Sequence, residues 1–588
     1  MPRRPLLIAL LALAFPAGAV DAPLTTVSER SGFMRTGRYD EVIALCDAFA
    51  ARYPRAIRCE TFGTTPEGRP MKVLVASTSG ALTPDAARER GLPVTLMQGG
   101  IHAGEIDGKD AGFLALRELL EGRVARKALD RQVFVFVPVF NVDGHERFKA
   151  WNRPNQRGPE EMGWRVTAQN LNLNRDYMKA DAPEMQAMLA LIERWNPTVY
   201  VDLHVTDGAK FQHDVSIQVE PVNSGDGPLR AAGRDLRQGT IDRLARAGAM
   251  PLPYYPSFVV GDDPTSGFED GVATPRFSHG YMPLRNRMGM LVETHSWRPY
   301  AHRVRTTRNA VLAVIEQMAS NGARWQQLEA QADERATRLA GESIALDYKA
   351  SDASRIVDFK GYAYTRTPSA VSGALMTRYD ETKPQVWKIP LRDIVVPAIT
   401  AVAPKAGYLV PAAWAARVAA KLDIHHVRYE RLAAPIANVD GQSWHATKIG
   451  FAGDSFEGHQ RLDADGQWVA EHRDVPAGSL FVPIAQPRAR LLMGLLEPRA
   501  PDALVAWGFF NPAFERKEYM EDYVAEEEAE KMLAADPLLR AGFEQRVRED
   551  AEFAKSPQAR LEFFYRRHRA WDDRYGVYPV MRLDRDPH

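Results

Sequence analysis

The stretch PVTLMQGGIHAGEIDG, residues 93–108, joins a short apolar run to a pair of glycines and a polar loop. The apolar run is typical of a buried strand, and residues 107–121 after it have the apolar spacing of a helix. The same alternation extends from about residue 32 to residue 317, with further apolar runs at MKVLVAS (71–77), QVFVFVPVFN (132–141), PTVYVDLH (197–204) and MGMLVE (288–293). Apolar strands separated by helices predict a largely parallel sheet that is covered by helices on both faces.

The second half of the chain has a different pattern. A long polar helix is expected over about residues 303–342, followed by β-rich segments interrupted by prolines and then by helical, aromatic-rich sequence. The sequence therefore predicts an α/β domain with a linker helix over 20–342, a β-rich accessory domain over 343–500 and a helical tail over 501–588.

The composition limits the possible partners and metal sites. The 588 residues carry 75 basic and 75 acidic side chains, so the formal net charge is zero. A neutral chain without a long basic run argues against nucleic acid as the main partner. A hydrophobic content of 45% fits a globular protein. Two cysteines are too few for a cysteine-based zinc cluster, so histidine and carboxylate side chains would have to hold any metal.

The N-terminus has the pattern of a signal peptide. A short basic segment precedes the apolar run 6–15, and a small-residue cleavage site ends at Ala19. We therefore expect export to the periplasm or the extracellular space after cleavage near Ala19. The apolar run is too short to span a bilayer and no later run approaches about 18 residues, so we expect no membrane span in the mature chain. In an exported chain Cys46 and Cys59 could form a disulfide, with two buried reduced thiols as the alternative.

Polar side chains directly follow two of the predicted strands. His102 and Glu105 form an H-x-x-E pattern in the loop after the first strand, and His204 ends the strand 197–204. In open α/β sheets, ligand sites lie at the carboxyl ends of the strands. A catalytic zinc takes three protein ligands and keeps an open position for water, so these side chains are candidate ligands for one zinc ion. Asp202 lies on the same face of its strand as His204 and is a candidate to orient an imidazole.

Two further segments carry candidate catalytic and substrate-binding residues. Glu293 ends a buried strand, where a carboxylate is costly unless it is paired or functional, and beside a zinc-bound water it would serve as the general base. His295 is a rival ligand, although we expect it to line the pocket wall. Asn174 and Arg175 offer amide and guanidinium donors, and arginine binds a carboxylate in a fixed two-point geometry. A surface ion pair is the alternative for Arg175.

The order of these motifs resembles the zinc carboxypeptidase family, peptidase family M14. H-x-x-E, N-x-D-G (141–144), L-N-R (173–175), a lone histidine after a strand and a strand-terminal glutamate follow each other within about residues 35–318. The resemblance implies a mixed, mostly parallel eight-stranded α/β sheet with helices on both sides and one zinc ion per chain. It also implies roles for the matching residues: zinc ligands His102, Glu105 and His204, substrate-carboxylate clamp Asn174 and Arg175, and general base Glu293.

Three features depart from the family pattern or stay open. Asn172 stands where the family has an aspartate that orients the first zinc histidine, and a neutral amide accepts a weaker hydrogen bond. The candidates for the arginine that polarises the substrate carbonyl are Arg153, Arg157 and Arg165. The tyrosine that caps the substrate is predicted to be Tyr281, with Tyr255 as the second choice.

The sequence thus predicts an exported zinc metallopeptidase that acts on peptides with a free C-terminal carboxylate. One alternative keeps the zinc and changes the substrate, to cell-wall peptides or N-acyl amino acids that an amidase hydrolyses. The other alternative is a secreted binding module on the same fold without catalysis, which the intact Glu293 argues against.

Overall fold

The predicted strands of the first half belong to one sheet. A computed structural model describes residues 24–587, so the predicted signal peptide lies outside the described residues. In chain order the strands are β1 (Ile57–Thr64), β2 (Pro70–Ala76), β3 (Val94–Gly99), β4 (Val133–Val137), β5 (Val199–Thr206), β6 (Val215–Glu220), β7 (Pro251–Leu252), β8 (Phe268–Glu269), β9 (Met288–His295), β10 (Ser343–Ala350), β11 (Arg355–Pro368), β12 (Leu375–Arg392), β13 (Val395–Val402), β14 (Gly407–Val410), β15 (Glu430–Arg431), β16 (Ile436–Phe451), β17 (Leu462–Val475), β18 (Leu480–Pro483) and β19 (Val577–Leu583).

Helices separate many of these strands. They are α1 (Val27–Arg30), α2 (Tyr39–Arg52), α3 (Pro84–Glu89), α4 (Asp107–Leu120), α5 (Val142–Glu146), α6 (Pro183–Trp195), α7 (Leu229–Arg246), α8 (Ser278–Tyr281), α9 (Tyr300–Ala336), α10 (Ala412–Ile424), α11 (Ala489–Leu496), α12 (Asp522–Ala535), α13 (Pro537–Glu549), α14 (Ala551–Lys555) and α15 (Pro557–Tyr565). Among residues 24–587, no helix combines the length and the apolar character that a membrane span requires.

The main sheet has eight strands in the order β1-β2-β4-β3-β5-β9-β6-β7. The neighbours β4, β3, β5 and β9 run parallel, whereas the pairs β1–β2, β2–β4 and β6–β9 are antiparallel. Every residue of β3, β5 and β9 is buried, as expected for strands that are covered on both faces. The predicted mixed, mostly parallel eight-stranded α/β sheet is confirmed.

Parallel pairing brings the carboxyl ends of β3, β5 and β9 to one edge of the sheet. Gln98 on β3 pairs with Asp202 on β5, and His204 on β5 pairs in turn with Glu293 on β9. Gly100, just beyond β3, has a φ of +63°, a left-handed conformation that favours glycine. The chain can therefore turn out of the sheet at once and bring the following loop back over this edge.

Helix α9, which the sequence predicts over 303–342, begins at Tyr300 and ends at Ala336. Its Arg303 is fully buried and donates hydrogen bonds to Asp107 Oδ2 at the start of α4 (2.8 Å) and to the carbonyl oxygen of Arg157 (2.7 Å). A buried guanidinium needs such partners, because an unpaired charge would be strongly destabilising. This contact fixes the start of α9 beside the edge of the sheet that carries the polar loops.

The C-terminal half contains the predicted β-rich region, in three sheets with the orders β10-β13, β11-β12-β8 and β15-β18-β14-β19-β16-β17. Strand β8 lies in the first half of the chain but pairs with β12, so the two halves share a sheet. Helices α12 to α15 form the predicted helical C-terminal stretch. After these helices the chain ends in a strand: β19 pairs with β14 and β16, and its apolar side chains are buried there.

Cys46 on α2 and Cys59 on β1 form a disulfide. This pairing replaces the alternative of two reduced thiols. The disulfide links α2, the first long helix, to β1 at the edge of the main sheet. As an edge strand, β1 has a hydrogen-bonded neighbour on one side only, so the disulfide adds a second attachment.

Candidate active site

His102, Glu105 and His204 converge at the carboxyl edge of the main sheet. Their candidate ligand atoms lie within 4.8 Å of one another, and all three side chains are buried. Glu105 Oε1 lies 2.9 Å from His102 Nδ1, and Glu105 Oε2 lies 3.0 Å from His204 Nδ1. The structure therefore brings the three predicted metal ligands together.

The outer nitrogen of each imidazole has its own oxygen neighbour. His102 Nε2 lies 3.1 Å from Asn172 Oδ1, and His204 Nε2 lies 2.8 Å from Asp202 Oδ2. Asn172 Oδ1 can accept the Nε2 proton of His102, and the negative charge of Asp202 favours a proton on His204 Nε2, so Nδ1 of each ring is the atom that faces a metal. Two imidazoles and a carboxylate, oriented in this way, fit the donor set of a zinc site with an open position. The neutral Asn172 orients His102, and the charged Asp202 acts on the other histidine.

Burial and neighbouring charges shift the pKa values of the three side chains. Burial lowers the pKa of His102 to about 4, so the imidazole is neutral at neutral pH, as a metal ligand must be. Burial alone would also lower the pKa of His204, but Asp202 and Glu293 raise it well above its usual value. Burial would raise the pKa of Glu105, but a neighbouring arginine and His102 more than offset this and keep the carboxylate ionised. The carboxylates around the two imidazoles favour a bound cation.

Glu293 lines the same cavity as the three candidate ligands. It is 7% exposed, and its Oε2 atom has no hydrogen-bond partner among the described residues. Burial raises the pKa of Glu293 to about 8; the charge of His204 opposes this shift and that of Glu105 adds to it. A cation bound at the three ligands would favour the ionised form, so this carboxylate is placed to accept a proton.

Asn174 and Arg175 reach the cavity from the loop before α6. Asn174 Oδ1 is buried without a hydrogen-bond partner, and within residues 24–587 Arg175 forms no ion pair. The Arg175 guanidinium lies over the ring of Phe277, 4.4 Å from its centroid. Burial lowers the pKa of Arg175 to about 10, and the charges of Arg165 and Arg276 add to this shift. A half-buried cation without a carboxylate partner is suited to an anionic group of a substrate.

The sequence of this region is similar to a known family. Residues 42–224 match a family model described as zinc carboxypeptidase, Peptidase_M14. This part of the chain is therefore similar to zinc carboxypeptidases. The matched residues include the three candidate metal ligands, Asn174 and Arg175, and the match ends before Glu293. The resemblance to this family is confirmed.

Solved structures of carboxypeptidases are similar to part of the chain. A metallo-carboxypeptidase from Burkholderia cenocepacia is 19% identical, with 47% of this chain and 69% of that chain covered and a TM-score of 0.34. Carboxypeptidase A from Helicoverpa armigera is 18% identical, with 54% and 78% covered and a TM-score of 0.34. Bovine thrombin-activatable fibrinolysis inhibitor, solved with a tick carboxypeptidase inhibitor, is 14% identical, with 50% and 98% covered and a TM-score of 0.36. A comparison with curated proteins finds no match.

Two of the three candidate arginines reach the cavity that holds the three candidate metal ligands. Arg153 Nη2 lies 2.9 Å and Arg165 Nη1 lies 3.5 Å from Glu105 Oε1. A Cβ atom on Gly104 would lie 2.6 Å from Arg153 Cγ, so the glycine in the H-x-x-E loop lets this arginine approach. Arg157 instead pairs with a glutamate of the C-terminal half at 2.5 Å and does not line the cavity. Arg153 and Arg165 remain as candidates to polarise a carbonyl.

The structure places Tyr281 in the core and not in the cavity. Tyr281 is fully buried, and its hydroxyl lies 2.9 Å from His425 Nδ1 in the C-terminal half. The prediction that it caps the substrate is therefore wrong, because its hydroxyl is used in packing between the two halves. Tyr255, the second choice, lines the cavity, where its hydroxyl oxygen lies 3.1 Å from Thr206 Oγ1.

His295 does not reach the cavity either. It lies two residues beyond Glu293 on the same strand, and its ring stacks on Phe211 with 3.8 Å between the ring centroids. The expectation that it lines the pocket wall is wrong, because its ring packs against Phe211 and not into the cavity.

Much of the cavity wall comes from residues that the sequence did not predict. The cavity has a volume of about 440 Å³. The additional lining side chains include Asp207, Gln218, Glu269, Asp270, Val272, Phe277, His279 and Leu291. Many of them lie between β6 and β9, in a segment with little regular structure that is held by long-range contacts such as the β8–β12 pairing. No periodic pattern of the local sequence marks such residues.

We expect metal analysis of the purified protein to find about one zinc per chain, and both His102→Ala and His204→Ala to lose it, because each variant removes one of three ligands. His279→Ala is the matched control, since His279 is a buried histidine of the same cavity outside the ligand group. It should keep the zinc. Retention of zinc by both ligand variants would show that the ligands are wrongly assigned.

Glu293→Gln should keep the zinc and the fold but lower turnover by about two to four powers of ten, because it removes the proton acceptor and keeps the side-chain volume. Glu329→Gln is the control for neutralising a buried carboxylate, since burial also raises the pKa of Glu329 to about 8 and Glu329 lies outside the cavity. Steady-state kinetics should show near-normal turnover for the control alone. Normal turnover of Glu293→Gln would move the general base elsewhere.

Proposed function

We propose that this chain is an exported zinc carboxypeptidase that removes C-terminal residues from peptides. The observation that carries the proposal is one cavity that holds three convergent metal ligands, an unpaired buried Glu293 and an arginine, Arg175, without an ion-pair partner in the described chain. Chemistry at a carbonyl and recognition of a terminal carboxylate can therefore take place side by side.

The candidate ligands, Glu293, the arginines and Asn174 each have a defined task in this proposal. Zinc, when held by the three ligands, supplies a Lewis acid that polarises the scissile carbonyl and lowers the pKa of a water. Glu293 accepts the proton of the attacking water and delivers it to the leaving amine nitrogen. Arg153 or Arg165 stabilises the developing negative charge on the carbonyl oxygen. Asn174 and Arg175 hold the substrate carboxylate through charge-assisted hydrogen bonds.

Export is supported by two features of the chain. The first residues have the pattern of a signal peptide, and Cys46 and Cys59 are joined in a disulfide. Disulfides persist mainly in oxidising compartments, the periplasm and the extracellular space among them.

Amidation of the C-terminus of a good peptide substrate should lower kcat/KM by about 30- to 1000-fold, because a desolvated charge-assisted pair is worth about 2–4 kcal/mol. Arg175→Ala should lose a similar factor on the free acid and little more on the amide, since both changes remove the same interaction. Kinetics of both enzymes on both peptides completes this double-mutant cycle.

Equal cleavage of amidated and free peptides by the wild-type enzyme would contradict the carboxypeptidase assignment. The chain would then be better described as an endo-acting or amidase-type zinc hydrolase, the alternative that the sequence left open. A panel of muropeptides and N-acyl amino acids, assayed beside the free peptides, separates these outcomes.

The cavity also supports a preference for a basic C-terminal residue. Asp270 lines the cavity, and in the part of the chain that the structure describes it forms no ion pair. Burial raises the pKa of Asp270 to about 6, so the carboxylate is ionised at neutral pH. The apolar side chains of Val272 and Leu291 line the same cavity. A lysine or arginine side chain could lay its aliphatic stem against such walls and place its charge near Asp270.

We therefore expect peptides that end in lysine or arginine to be cleaved in preference to peptides that end in leucine. Asp270→Asn should reduce this preference by about 10- to 100-fold, because it removes a partly buried charge pair. Glu269→Gln is the matched control, because Glu269 is the adjacent, exposed acid of the same cavity. The preference should also fall as the pH is lowered through and below about 6, where Asp270 becomes protonated. An unchanged preference in Asp270→Asn would exclude this role.

A further inference from the structure

A turn of the C-terminal half lies against the loop that carries the substrate-carboxylate clamp. The turn joins β16 to β17, and within it Glu457 Oε2 accepts a hydrogen bond of 2.8 Å from the backbone N–H of Asn172. Two residues later, His459 Nε2 lies 2.7 Å from Asp181 Oδ2 in the same region of the catalytic domain. The two contacts attach the turn to both ends of the segment from 172 to 181.

Asn172 contacts one metal ligand and both clamp residues. Its Oδ1 lies 3.1 Å from His102 Nε2 and also accepts the backbone N–H of Asn174 at 3.0 Å. Its carbonyl oxygen accepts the backbone N–H of Arg175 at 2.9 Å. One metal ligand and both clamp residues therefore depend on the position of this single residue.

The N–H of Asn172 is the one backbone donor of this residue, and Glu457 is its partner in the described structure. A carboxylate is a strong acceptor for a backbone N–H, and the loss of the acceptor would leave that donor without a protein partner. Asn172 would then be held only by the groups that it is itself supposed to orient.

The conformation of the turn agrees with a constrained role. Glu457 has a φ of +51°, a left-handed conformation that is uncommon for a residue with a side chain, and Gly458 follows with a φ of +78°. Such a conformation persists where the surroundings hold it. The ring of Phe456 stacks on Trp507 with 5.9 Å between the centroids, which fixes the turn from the side of the C-terminal half.

We infer that Glu457 is a positioning residue of the active site: through Asn172 it fixes His102 and the Asn174–Arg175 clamp, so the C-terminal half completes the catalytic unit. The inference rests on the proposed carboxypeptidase function for its kinetic part and on the zinc site alone for its metal-binding part. The charge of Glu457 also acts on Arg175, where it partly offsets the lowering of the pKa by burial.

The test compares Glu457→Ala with Glu457→Gln in the full-length, zinc-loaded protein. The glutamine keeps an oxygen that can accept the Asn172 N–H, whereas alanine removes it. For Glu457→Ala we expect KM for a free-acid peptide to rise about 5- to 20-fold. Zinc affinity, measured by competition with a chelator, should fall about 3- to 10-fold. This fall is smaller than that expected when a direct hydrogen-bond partner of a metal ligand is removed. Glu457→Gln should stay within about 3-fold of the wild-type protein in both measurements.

Asp454→Ala is the matched control, because Asp454 is an exposed acid of the same turn. Thermal unfolding of all variants separates a loss of stability from a loss of positioning. If Glu457→Ala does not fold, Glu457→Asp serves instead, since it keeps the charge and shortens the reach by one methylene group.

Wild-type KM and zinc affinity in Glu457→Ala would overturn the inference. Equal losses in Glu457→Ala and Glu457→Gln would also overturn it, because the charge and not the hydrogen bond to Asn172 would then matter. If the wild-type protein cleaves no peptide, the proposed function fails, while the chelator competition still decides whether Glu457 positions the zinc ligand.

Discussion

The site depends on the contacts that the Glu105 carboxylate makes with His102, His204 and the backbone of Val205. This carboxylate is 3% exposed and lies within hydrogen-bonding distance of His102 and His204, while its Oε2 also accepts the backbone N–H of Val205 at 3.1 Å. A buried charge is tolerated only with several such partners. Because these partners come from the loop after β3 and from the end of β5, the ionised carboxylate holds two strand ends together at the point where a cation would bind.

The three ligands and Glu293 could be predicted from the sequence because the order of the strands in the sheet determines where these residues lie. β3, β5 and β9 are buried on both faces, so their apolar runs stand out, and parallel pairing carries the polar residues that follow them to one edge. His102, His204 and Glu293 each occupy such a position. Their proximity thus follows from strand order, and strand order follows from sequence patterns that extend over many residues.

Side chains outside these strand ends could not be placed in the same way. Tyr255 lines the cavity, whereas Tyr281 lies in the core, where it contacts His425 and Tyr177. Asp270 faces the cavity because the β8 strand before it pairs with β12, more than a hundred residues away. Arg157 likewise lies outside the cavity because it pairs with Glu381 of the C-terminal half. Each of these positions is set by a long-range contact, for which a single sequence carries no local pattern.

Besides the apolar clusters that both halves share, some contacts between the halves are polar and buried. Asp502, 1% exposed, accepts a hydrogen bond of 2.9 Å from the backbone N–H of Arg276, and His425, fully buried, lies against Tyr281. A polar group that is buried without a partner destabilises the protein. Domains that separate and fold alone therefore keep such groups accessible to water at their interface. Removing the C-terminal half would leave polar groups of the first half, such as the N–H of Arg276, without these partners. The change of sequence pattern near residue 342 therefore marks a change of architecture. Contacts from both sides of this point stabilise the fold and shape the cavity.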